Sequence, residues 1–199
     1  MPAGSSPFHA KGHVYLKMFE NMEASVPGGL AAVVARCEEP SIAAFVAQRF
    51  TAGGWYDALP ITPLGSAHAR ILGKPFHPFI RDKGRIIARE DVPGIYRALL
   101  KLFSPELLVG KLPRAAALYF DFGKTRAEVP RPRAAQTFLA GVPYTLAASL
   151  SATIEGFMEA ALEISGARGV HVRTLEASYD GGEVGGIATA IVSHEATWS

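Results

Sequence analysis

The feature that most constrains this chain is the order of its C-terminal third: one long amphipathic pattern, then two alternating stretches joined through glycines. From Pro143 to Ile164, the residues Leu146, Leu150, Ile154, Phe157, Met158, Ala161 and Leu162 recur at threes and fours, the period of one helix face. At 1.5 Å per residue such a helix spans roughly 30 Å, enough to cover a small sheet. Glu155, Glu159 and Glu163 form a second stripe, expected to face water. Gly166 is a helix stop. Residues 170–179 and 183–192 then alternate as strands, with Asp180-Gly181-Gly182 expected to supply the tight turn and Gly185-Gly186 a bulge or a close backbone approach.

The N-terminal half reads as helical. Val14, Met18, Met22 and Val26 stand four apart before a break at Pro27-Gly28-Gly29, which predicts two short helices over residues 13–37. Ser41 caps a third, Trp55-Tyr56 stand beside a turn, and Pro63 opens a helix with Leu64, Ala67, Ile71 and Leu72 inward. Residues 76–90 and 94–103 give two more, and Ser104-Pro105-Glu106 starts a short one that Pro113 ends. Alternation over residues 115–123, with Leu118, Phe120 and Phe122 on one side and Tyr119 and Asp121 on the other, predicts the first strand. Residues 124–129 and 133–140 add one or two more, at an edge or bulge because of Pro130 and Pro132.

The fold class is therefore α+β: a helical N-terminal half packed on a small antiparallel sheet with one long covering helix. Residues 1–12, rich in Pro, Gly and Ser, are expected to be a flexible arm, and residues 13–199 a single domain.

Cys37 is the only cysteine, so neither a disulfide framework nor a cysteine-based metal cluster can be built within the chain. With no basic-then-apolar leader and no apolar run near the roughly 20 residues that cross a bilayer, a cytoplasmic protein without a membrane span is expected. The net charge of +2 is unevenly spread: residues 70–133 hold 14 Lys/Arg against 6 Asp/Glu, and the rest 6 against 12. A basic middle attracts anions. Its plainer reading is the solvated surface of a helical region, and nucleic acid is not expected, because zinc-finger and helix-turn-helix signatures and interleaved aromatics are missing.

Six histidines are present: His9, His13, His68, His77, His171 and His194. His9 and His13 have a helical ligand spacing, but Pro7 and Gly12 disfavour a helix there, and no metal site is expected. His68 and Arg70 follow Trp55-Tyr56, with Phe76-His77 close behind, the densest gathering of aromatic, cationic and titratable groups. Tyr119, Tyr144 and Phe157 are candidates to line an apolar cavity between sheet and long helix. For both groups the bland alternative is ordinary core with polar groups in water. The ligand-binding candidates are thus Trp55, Tyr56, His68, Arg70, Phe76, His77, Tyr119, Tyr144 and Phe157. No catalytic residue is assigned: Gly-x-Ser-x-Gly is missing, Cys37 sits in an Ala/Val-rich helix, and no Lys-Ser/Thr follows the glycines after Asp180.

Three stretches carry a family resemblance: GGWYDALPITPLGSAHARILGKPF, IYRALLKLFSPELLVGKLPRAAALYFDFG and SATIEGFMEAALEISGARGVHV. Together they resemble an uncharacterised myxobacterial family, related in layout to haem nitric-oxide-binding and 4-vinyl reductase domains. The resemblance implies helices around a small antiparallel sheet, often with an apolar cavity, and a domain that senses small molecules or acts as an adaptor. Two departures weigh against haem. Residues 78–170 contain no histidine to serve as axial ligand, and the Tyr-x-Ser-x-Arg motif for the propionates is replaced by Tyr119-Phe120-Asp121-Phe122-Gly123.

The expected function is a non-enzymatic sensory or adaptor domain that binds a small hydrophobic molecule or a protein partner. Its alternatives are a haem-based gas sensor and an enzyme acting on an anionic small molecule through His68 and His77. No cofactor is expected, haem standing as the less favoured option, and the alanine-rich residues 30–36 offer a face for a homodimer.

Overall fold

The computed structural model describes residues 1–90 and 104–199, so the helix expected over 94–103 lies outside the described residues. A two-stranded antiparallel ribbon opens the fold, β1 (His9–Lys11) against β2 (Trp55–Asp57). Between them run α1 (Gly12–Ser25), α2 (Gly29–Val34) and α3 (Ser41–Val46). Tyr15, Phe19, Phe45, Phe50 and Tyr56 form an aromatic knot with contacting ring centroids 4.4 to 6.5 Å apart. It ties α1 and α3 to the ribbon.

Next come α4 (Ile61–Ile71) and α5 (Phe76–Glu90). Pro63 sits inside the first turn of α4 rather than at its start, where its missing N–H has no intrahelical partner to lose. Ser104 caps α6 (Pro105–Val109), its Oγ accepting the Leu107 N–H at 3.3 Å. Pro113 ends nothing: it lies within α7 (Leu112–Ala116).

The strand expected over 115–123 does not form. Its start is absorbed by α7, and only Phe120 makes a bridge, to Ala10 of β1. Two backbone hydrogen bonds flank it, Lys11 N–H to Tyr119 O at 2.8 Å and Asp121 N–H to His9 O at 3.1 Å. The physical reason is the partner: β1 has three residues, so alternation finds no longer edge to pair with.

The main sheet contains β3 (Lys124–Glu128), β4 (Ala134–Pro143), β5 (His171–Val184) and β6 (Ile187–Thr197), all antiparallel in the order β3-β4-β6-β5. Its covering helix is α8 (Tyr144–Ile164). The α+β architecture is the one the sequence pattern predicts. The hairpin turn, however, lies elsewhere. Val184 pairs with Ile187, leaving Gly185 and Gly186 at φ +58° and +79° as a two-residue loop, the primed turn that needs positive φ twice. Asp180-Gly181-Gly182 instead form an irregularity inside β5, where register jumps from Tyr179 to Glu183. The Asp180 carboxylate fixes it, accepting the Gly182 N–H at 2.9 Å, the Thr189 hydroxyl at 2.7 Å and the Gly141 N–H at 3.2 Å.

Residues 1–12 are not a loose arm. Asp57 Oδ2 accepts the N–H groups of Gly4, Ser5 and Ser6 at 2.8, 3.1 and 3.2 Å, and Oδ1 accepts Ser6 Oγ at 2.5 Å and Leu59 N–H at 2.9 Å. Phe8 and Ala10 are buried. A buried carboxylate must collect donors, and this one collects them from the N-terminal residues.

Candidate functional site

Among the described residues, side chains of the helical half pack directly on those of the sheet and its covering helix. Tyr15, Met22 and Leu64 from the helical half meet Leu139, Val142, Leu146, Leu150 and Val192 in one core cluster. Met158 and Leu162 continue it with Val109, Val172 and Trp198. Two open surface depressions lie beside Arg70: one of about 400 Å³ lined by Cys37, Glu38, Glu39, Pro63 and Arg70, another of about 280 Å³ lined by Arg36, Arg70 and Ile71. Burial pushes the Cys37 thiol up against the opposing pull of Arg70, so that thiol is a poor nucleophile.

The richest polar constellation is the clasp between α5 and α8. His77, Arg81, Arg85 and Arg89 recur every four residues on α5, and Glu155, Glu159 and Glu163 do the same on α8. They interdigitate: His77 Nε2 lies 3.2 Å from Glu155 Oε2, Arg81 Nη2 2.6 Å from Glu159 Oε2, and Arg85 Nη1 2.7 Å from Glu159 Oε1. Arg85 and Arg89 reach Glu163 at 3.5 and 3.2 Å. The expected wet glutamate stripe is thus an ion-pair seam, with Glu155 and Glu159 buried. Part of the charge imbalance along the chain resolves here, basic middle against acidic C-terminal helix. Arg81 Nε, 3.8 Å from Glu155 Oε2, has no hydrogen-bond partner.

A polar chain leaves this clasp for the sheet. Glu155 Oε1 accepts the Thr174 N–H at 2.8 Å and also the Thr174 hydroxyl. Thr174 Oγ1 lies 2.7 Å from Ser151 Oγ, and Ser151 lies against His194 of β6, with His194 Nε2 3.1 Å from Ser151 O and 3.4 Å from Ser151 Oγ. His194 is 1% exposed, and burial pushes its pKa down to about 4. It is neutral at physiological pH.

The residues singled out from sequence do not gather at one place. Trp55 is exposed under the Lys11 ammonium, 3.8 Å from its ring centroid. Tyr56 belongs to the aromatic knot, and its hydroxyl meets the Thr51 hydroxyl at 3.4 Å and accepts the Thr51 N–H at 2.8 Å, two hydrogen bonds, the side-chain one first, that hold its pKa below the ordinary phenol value. His68 is buried, with Nε2 2.8 Å from Ser25 Oγ and its ring edge-on to Phe79 at 4.9 Å. Burial, then Lys83 and Lys74, push its pKa down to about 4. Arg70 stays at the surface, its Nη1 3.7 Å from Glu38. Phe76 packs on the small cluster of Ala69, Phe79, Ile80 and Ala152. His77 joins the clasp. Tyr119 sits beside the His13 ring at 5.1 Å, Tyr144 is exposed, and Phe157 packs against the Met158 cluster.

His68 therefore turns toward α1 while His77 turns toward α8, and Asp57 is engaged with the N-terminal amides. They form no common cleft. Sequence reading missed Glu155, Arg81, Glu159, Ser151, Thr174 and His194 as a network. The matched four-residue spacing of cations on α5 and glutamates on α8 was the available signal for the clasp; nothing local marked His194.

No protein-family description and no curated protein matches this sequence. Solved structures do match its fold, end to end. An Fe(II) unliganded H-NOX protein from K. algicida superposes with a TM-score of 0.68 at 11% identity, over 95% of this chain and 96% of that one. A Cs H-NOX mutant gives 0.66 at 11% identity, over 95% and 96%. An oxygen-binding H-NOX domain related to soluble guanylate cyclases gives 0.60 at 11% identity, over 95% of each. The chain has the H-NOX fold, that of haem nitric-oxide-binding domains. No helix among the described residues is long and apolar enough to cross a membrane.

These neighbours overturn the expectation that no cofactor is involved, because haem is the group this architecture implies. Among the described residues, the side chains do not offer a fit for it. The core between helices and sheet is packed, and the two buried imidazoles are already committed, His68 to Ser25 and His194 to Ser151. The β4 strand, Ala134–Pro143, offers neither arginine nor tyrosine for propionates.

Proposed function

We propose that this chain is a non-enzymatic sensory domain built on the H-NOX architecture, whose input is a small molecule and whose output is a change in how its helical half sits on its sheet. The observation that carries this reading is the end-to-end match in fold, 95% of this chain on 96% of an H-NOX protein. The α5–α8 clasp supports it, since a seam of ion pairs across two packed helices is a place where arrangement is specified by charge register.

Haem-based gas sensing is the form of this function that the fold neighbours favour. The experiment is haemin addition to the purified protein, removal of excess, and absorption spectra before and after carbon monoxide or nitric oxide. A Soret band that moves with the gas establishes gas sensing through haem. A spectrum without one assigns the domain to a small hydrophobic ligand or a protein partner, and mass spectrometry of the denatured protein then separates those two.

A further inference from the structure

We propose that Glu155, Thr174, Ser151 and His194 form a hydrogen-bond relay through which the sheet registers whether α5 is clasped to α8. The directions of its bonds follow from donor and acceptor chemistry. An ionised carboxylate only accepts, so the Thr174 hydroxyl donates to Glu155 Oε1. Its oxygen is then the acceptor for Ser151 Oγ–H at 2.7 Å. Ser151, having used its one proton, accepts from His194 Nε2 at 3.4 Å. The carbonyl of Ser151, 3.1 Å from the same nitrogen and unable to donate, demands the same Nε2–H tautomer. Nδ1 is left as the acceptor side of the ring, 3.5 Å from a Thr137 hydroxyl whose one proton also faces Met158 Sδ at 3.6 Å.

Two independent constraints thus agree on one tautomer, and every proton along the chain points toward Glu155. Aligned hydrogen bonds polarise one another, more so where water is excluded. Glu155 Oε2, the other oxygen, takes His77 at 3.2 Å on the solvent side, with Arg81 Nε of the same helix 3.8 Å away. His77 is half-exposed, while Glu155 and His194 are buried. The carboxylate therefore divides its negative charge between a surface contact from α5 and an interior chain into β5 and β6. Withdrawing the first strengthens the second. Glu155 is the positioning residue, and His194 is where the state of the clasp is read. The relay does not depend on which ligand the domain senses.

Long-range ¹H–¹⁵N NMR of His194 in the full chain tests this. The expected wild-type spectrum is the Nε2–H tautomer, His77→Ala, which leaves no donor at that position, displaces the Nε2 and Nε2–H signals, and Thr174→Val, which removes the middle hydroxyl at nearly constant shape, abolishes that displacement. An Nδ1–H tautomer overturns the proposal. So does an unmoved His194 signal in His77→Ala, or a displacement that persists in the double variant. If Thr174→Val does not fold, Ser151→Ala interrupts the same chain and is judged by the same displacement.

Discussion

Gly84 on α5 and Gly156 on α8 let the two helices meet backbone to backbone. A Cβ at Gly84 would stand 2.1 Å from the Thr153 carbonyl oxygen, and one at Gly156 would stand 1.9 Å from that of Arg81. Every other residue would hold the helices apart. This closeness is what lets long cationic side chains on α5 and glutamates on α8 pair across the seam rather than reach into water.

Gly84→Ala and Gly156→Ala therefore reverse the usual sign. In an exposed helix Gly→Ala stabilises by roughly 1 kcal/mol; here the new methyl meets backbone, which cannot swing aside. Each substitution is expected to destabilise by about 3 kcal/mol or more, at the upper end of overpacking, and to lower Tm by roughly 6–12 °C for a chain this size. Thermal unfolding followed by circular dichroism checks it, and an unchanged or raised Tm contradicts the close crossing.

Acid should weaken the protein as pH falls from about 6.5 toward 4. His194 has a pKa of about 4 in the folded state against 6.5 for the free group, and His68 is lowered to about 4 as well. Between those values the unfolded chain binds more protons, so stability is fully present above about pH 6.5 and falls as pH drops toward 4. For His194 the loss reaches up to about 3 kcal/mol. Urea midpoints between pH 7 and pH 4.5 measure the slope, and His194→Gln should flatten it.

The Asp57 carboxylate anchors the N-terminus. Asp57→Ala leaves the amides of Gly4, Ser5 and Ser6 without their acceptor, at a cost of about 2–3 kcal/mol. Faster hydrogen exchange at residues 4–8, with little change in β4 and β6, is the expected pattern.

The hairpin turn can be located by substitution. Gly186→Ala places an alanine at φ +79° and should cost about 1 kcal/mol, whereas Gly186→Asn should be tolerated to within a few tenths, since asparagine accepts the primed turn. Chemical denaturation of the two variants compares them directly. Equal losses would argue against the turn at Gly185-Gly186.

Much of the fold was legible because it rests on local rules. The three-and-four spacing from Leu146 to Leu162 marks α8, and Ser104-Pro105-Glu106 marks the start of α6. Rules that depend on a partner failed. Alternation around Tyr119 had no strand long enough to join, and the turn expected at Asp180-Gly181-Gly182 fell instead at Gly185-Gly186, where strand register put it. The candidate site fared similarly: His77 could be named, but its partner Glu155 lies 78 residues away and looked solvated.

The sequence by itself determined the long covering helix, the strands of the closing hairpin, and that an α+β fold closes with a covered antiparallel sheet, because period and capping act over a few residues. Only the tertiary structure decided that the glutamates of α8 face arginines, that Asp57 holds the N-terminus, and that His194 is buried and neutral. Burial and charge pairing are properties of neighbours brought together from distant positions, and one-dimensional spacing does not specify which neighbours those are.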